Sequence, residues 1–213
     1  MKTCNYSKTR LIRAVTLSAA IFATSALQAQ TAQAPPPADS SGMTHATKEF
    51  MQYAAQADLT EIAMANIAQT RAQNTAVKEL AKMMRTDHQQ NYDLLQVMAQ
   101  NHLVTLGSFP DEMNQQATHR LEKASDATFD KEYTKAMLKD HVQSITRFDK
   151  SLADIDEPSV RQYVQTTLPT LRKHLQHSEN AARAAGLDEG TISSILKALP
   201  SDELLRTVAS NAN

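Results

Sequence analysis

One carboxylate, Glu61, and three imidazoles, His88, His141 and His174, each stand near the middle of a long helical pattern, on or beside its apolar stripe. Such groups bind Zn, Fe, Mn or Cu at about 2.0–2.2 Å, and the interiors of helical bundles are common places to build such sites. An unpaired buried carboxylate is costly, so Glu61 requires a metal, a histidinium or a proton. One expected chemistry is metal binding. Beside it stands a metal-free reading, in which Glu61 and one or two histidines form a hydrogen-bonded network that fixes helix register. Asp87 and Asp140 directly precede His88 and His141; they are expected outside the ligand set, orienting a neighbouring histidine or facing solvent. No side chain is assigned a catalytic role.

The stretch from Val77 to Ala99 places Val77, Ala81, Met84, His88, Leu95 and Ala99 on one side of a helix, flanked by Leu80, Asn91 and Met98. Its start recurs: KELAKMMRTDHQQ from Lys78 is repeated as KEYTKAMLKDHVQ from Lys131. In this second copy the stripe is Phe129, Tyr133, Ala136, Met137, Ser144, Phe148 and Leu152, which leaves Asp140 and His141 on opposite shoulders, either able to face the core. Glu61 lies among Phe50, Ala54, Ala57, Met64, Ala65 and Ala68. The three histidines stand about 15 to 17 residues from their hairpin turns and Glu61 about 12, so at ~1.5 Å per residue the four fall in a slab about 8 Å thick.

Four elements must hold these groups. The pattern predicts helix one from Thr44 to about Ala72 and helix two from about Thr75 to His102, joined by a short break into an antiparallel hairpin. A crossover follows, with a small helix from Asp111 to Ala124. Helix three is expected from about Asp126 to Ile155 and helix four from about Pro158 to Ala185, closed by Gly186. Pro169 inside helix four predicts a bend or a break. Ile192, Ile195, Leu196 and Leu199, then Leu204, Leu205 and Val208, suggest short C-terminal helices capping one end.

Four Gly, seven Pro and no Trp among 213 residues, with abundant Ala, Leu, Met and Gln, suit helices and leave too little turn chemistry for a many-stranded sheet. The expected fold is an all-α four-helix bundle. Lys2, Lys8, Arg10 and Arg13 precede an apolar run from Ala14 to Leu27, the layout of a secretory signal peptide cleaved near Ala29. The expected organisation is a signal peptide over 1–29, a Pro/Ala/Ser-rich linker over 30–43, the bundle over 44–186 and a helical extension over 187–213. Cleavage removes the single cysteine, Cys4, and the four basic residues of the signal, so the formal charge of −1 becomes −5. That balance gives nucleic-acid binding no support. No other stretch approaches the ~20 apolar residues of a membrane span. The mature chain is expected to be soluble and periplasmic or secreted, with an envelope protein or a second copy of itself as candidate partners.

No phosphate-cradling glycine loop and no Gly-x-Ser-x-Gly nucleophile motif occurs. His45, His102, His119 and His177 read as surface or end positions, and Met83, Met84, Met98 and Met137 as core filling rather than a copper-binding cluster.

Three segments, FMQYAAQADLTEIAMANIAQTRAQNTAVKELAKMMRTDHQQ, FDKEYTKAMLKDH and TTLPTLRKHL, together resemble the bacterial domain-of-unknown-function 4142 family over about Lys48 to Ala185. The resemblance implies a ferritin-like four-helix bundle at the cell envelope; members often carry the label outer-membrane protein without a defined activity. Glu61, Asp87, His88, Asp140, His141 and His174 stand at the family's polar positions, whose roles the family does not assign. Ferritin-like di-iron sites require Glu-x-x-His on two helices, whereas Arg85, Leu138 and Leu171 stand three residues before the histidines here. The His-x-x-x-Glu spacing of hemerythrin-like bundles is absent too, since Ser178 follows His174. A single ion is therefore expected. The rival functions are a metal-free envelope stress or interaction protein and a metal-dependent redox enzyme.

Overall fold

The computed structural model of the chain describes residues 42–200. They form six helices and no strand: α1 (His45–Arg71), α2 (Thr75–Asn101), α3 (Glu112–Glu122), α4 (Phe129–Ser151), α5 (Pro158–Ala184) and α6 (Glu189–Leu196). The expected signal peptide, nearly all of the linker and the Leu204, Leu205, Val208 set lie outside the described residues. Among those described, no helix is long and apolar enough to cross a membrane.

Local chemistry sets the helix ends. Thr44, Asn74, Asp111 and Asp188 each accept a hydrogen bond at an N-terminus from a backbone N–H of the first turn. Pro158 opens α5, and Gly186, at φ +77°, turns the chain out of it. α4 is shorter than expected at both ends. Before Phe129, Thr128 N–H bonds to the Ser125 carbonyl; after Ser151, a run of bonds from Leu152, Ala153 and Asp154 to carbonyls three residues back replaces the helical pattern. α5 passes through Pro169 without the break that the proline allowed.

α1 and α2 pack as one hairpin, α4 and α5 as the other, with α2 against α5 and α1 against α4. At one end, Asp156 accepts hydrogen bonds from the Thr44 N–H and the Thr44 and Thr47 hydroxyls. At the other, Asp130 accepts from the Gln73 and Asn74 N–H groups, and the Asn74 amide donates to the Ala184 carbonyl. α1 therefore begins where α4 turns into α5, and neighbouring helices run antiparallel. The α2–α4 connection, carrying α3, has to travel the length of the bundle. One such long crossover between two hairpins is the ferritin-like arrangement. Gln52 and Gln56 hold its first half, and Arg71 holds its second by donating to the Glu122 and Ala124 carbonyls.

The apolar interior falls into two clusters. Phe50, Leu95, Ile145, Phe148 and Leu168 belong to one, and Met64, Val77, Met84, Phe129, Tyr133 and Met137 to the other. Between them, mid-helix on α1, α2, α4 and α5, lies a layer of buried polar groups.

Candidate metal centre

Each of the four central helices contributes one side chain to this layer: Glu61 from α1, His88 from α2, His141 from α4 and His174 from α5, all at most 3% exposed. The ring centroids lie 5.7 Å (His88–His141), 5.2 Å (His88–His174) and 5.3 Å (His141–His174) apart. Each ring offers a nitrogen, and the three nitrogens lie within 4.8 Å of one another. Glu61 Oε2 stands 3.0 Å from His88 Nε2.

The outer nitrogen of every ring is engaged by an acceptor. His88 Nδ1 bonds to Asp58 Oδ1 at 2.8 Å, His141 Nδ1 to the Met137 carbonyl at 2.9 Å and His174 Nε2 to Asp87 Oδ2 at 2.9 Å. A carboxylate or carbonyl accepts and cannot donate, so these outer nitrogens carry the protons. In a neutral ring the other nitrogen then holds a lone pair. Those nitrogens, His88 Nε2, His141 Nε2 and His174 Nδ1, are buried without a hydrogen-bond partner, as is Glu61 Oε2. The three histidines form a buried group whose nitrogens could hold a metal ion; Glu61 stands beside it, with Oε2 3.0 Å from His88 Nε2 and Oε1 3.7 Å from His141 Nδ1.

Electrostatics run the same way. Burial works against a charge on Glu61, but the His141 and His88 imidazoles outweigh it and hold the carboxyl at about 2. Burial also opposes a charge on His88, and the Glu61 and Asp58 carboxylates outweigh that, raising it to about 10. His141 is pushed down by burial. His174 falls to about 4, through burial and then the charges of its two histidine neighbours. Burial raises the carboxyl of Asp58, which accepts from His88.

All four residues expected as ligands meet in this layer. The two aspartates divide. Asp87 does orient a histidine, but His174 across the α2/α5 interface rather than its neighbour His88, because adjacent residues on a helix do not face each other. Asp140 orients none: among the described residues it makes no hydrogen bond to a histidine, and it lines a cavity instead. Burial, then the Glu61 charge, pushes its carboxyl up to about 7. His141, not Asp140, takes the core-facing shoulder. Sequence reasoning did not single out Asp58, which is 3% exposed and held by His88 and the Asn91 amide, while Ala57 beside it is only half-buried. The available signal was Asp58 one turn before Glu61, on the same face.

The arrangement defines a helical bundle with a buried three-histidine cluster and the carboxylate of Glu61 beside it. The chain belongs to the family described as domain of unknown function (DUF4142), whose model matches residues 32–181. No curated protein and no solved structure matches it.

Proposed function

We propose that this protein is an exported bundle that holds one transition-metal ion through Glu61 Oε2, His88 Nε2, His141 Nε2 and His174 Nδ1. The observation that carries the reading is the buried group of three imidazole nitrogens within 4.8 Å of one another, with Glu61 beside it, behind which Asp58, the Met137 carbonyl and Asp87 occupy every outer nitrogen. The donor set suits Zn, Fe, Mn or Cu, and a bound ion would act there as a Lewis acid or, for a redox metal, a one-electron centre. The chain's own part is to fix the tautomers, exclude bulk water and balance the charge. The basic, apolar, small-residue layout of residues 1–29 supports export across a membrane, with the ion held outside the cytoplasm.

Elemental analysis of the purified protein, after exposure to each metal and dialysis, tests this. The expectation is about one ion per chain in the wild type and none in a His88→Ala, His141→Ala double variant. Absence of stoichiometric metal from the wild type under replete conditions overturns the reading. A second reading has its own observation: His88 lies between Asp58 at 2.8 Å and Glu61 at 3.0 Å. That ion pair could fix register in a metal-free interaction protein. The same absence of metal, with the fold retained, favours it.

A further inference from the structure

Two cavities approach the polar layer from opposite faces of the bundle. On the α2/α5 face, one of about 400 Å³ is lined by Asp87, Asn91, His88 and His174. An ion arriving there would meet rings whose outer nitrogens carry protons bonded to Asp58 and Asp87. On the α1/α4 face, one of about 550 Å³ lies beneath the crossover, and Glu61 itself lines it. Glu61 is 2% exposed, and its Oε2 has no hydrogen-bond partner. Asp140 lines the same cavity and a smaller neighbour of about 240 Å³ that also touches Met64, Ala117 and Lys139. No hydrogen bond or ion pair engages Asp140 among the described residues, in contrast to Asp58 and Asp87, whose carboxylates are committed to histidines.

We infer that the α1/α4 cleft is the route by which a divalent cation reaches the centre, with Asp140 the carboxylate that takes the ion from solvent and hands it to Glu61. The inference rests on the metal reading above. A group on a route differs from a ligand: its loss slows arrival and departure together and leaves the equilibrium affinity nearly unchanged.

Stopped-flow absorbance of cobalt(II) binding to the full-length protein at low ionic strength reads the rate, and equilibrium titration reads the affinity. D140N is expected to slow uptake about tenfold or more while shifting Kd less than about threefold. A117W, at a residue that lines the cleft, should slow uptake and release alike, and T170W on the α2/α5 face should do neither. If A117W fails to fold, D140N against T170W still decides. Uptake of one cobalt at a rate indifferent to D140N, slowing by T170W, or a D140N variant whose loss lies in faster release each overturns the route. A wild-type chain that takes up no cobalt overturns the metal reading itself, and the route with it.

Discussion

His88 Nε2 and Glu61 Oε2 stand 3.0 Å apart in the middle of the bundle, and no hydrogen bond joins them. At that separation a well-aimed N–H would bond. In the metal-free chain, with His88 protonated, the two form a buried ion pair, and loss of that proton would leave both atoms free to share a third partner. His141 Nε2 and His174 Nδ1, equally unpartnered, complete the set. Leaving such groups unsatisfied between two apolar clusters costs more than a core of ordinary side chains.

Glu61→Gln tests the carboxylate's part. It removes the only anionic ligand and is expected to weaken metal binding about 100-fold or more, with helix content by circular dichroism largely kept. Unchanged affinity in a titration would remove Glu61 from the ligand set.

Asp58→Asn should act through His88 alone. An amide at Asp58 can present its NH2 to His88 Nδ1 and so release the ring from the tautomer the site requires. The expectation is a loss of about 10–100-fold in metal affinity with stoichiometry still one ion per chain. Equal affinity in wild type and variant would show that Asp58 has no influence on the ring.

The helices and the ligand layer could be read from residue order because both rest on local periodicity. Pro158 and Gly186 bound α5, and each of the four central side chains lies within the buried face of its helix. The partners behind the ligands could not be read the same way. Asp87 finds His174 across 87 positions of sequence, and Asp58 finds His88 across 30, so both pairings depend on which helices become neighbours. Asp140 occupies in the repeat the place that Asp87 has in its own copy, yet it bonds no histidine: Asp87 meets His174 on α5, whereas the cavity that Asp140 lines holds Glu61 of α1.

Metal binding should release about one proton per ion near neutral pH. In the metal-free chain His88 is raised to about 10 and is protonated, whereas His174, at about 4, and His141, also lowered, are neutral, and Glu61, at about 2, is ionised. The metal-free state thus holds one proton more than the bound state. Affinity should fall about tenfold for each unit that pH drops between about 9 and 7. Calorimetry in buffers of different ionisation enthalpy counts the proton; a count near zero contradicts the assignment.

Tyr133→Phe should leave the metal-free protein as stable as the wild type, or stabilise it by about 1 kcal/mol. The Tyr133 hydroxyl is fully buried and has no partner, and burial pushes the phenol well above its ordinary value. Urea denaturation decides. A loss of more than about 1 kcal/mol would reveal a partner for that hydroxyl.

The most direct test of the central claim is anomalous diffraction at the metal edge from crystals of the zinc- or cobalt-loaded protein. One peak per chain is predicted, within about 2.0–2.2 Å of Glu61 Oε2, His88 Nε2, His141 Nε2 and His174 Nδ1. No peak in that layer, or an ion bound through the outer nitrogens that now face Asp58, Met137 and Asp87, would contradict it.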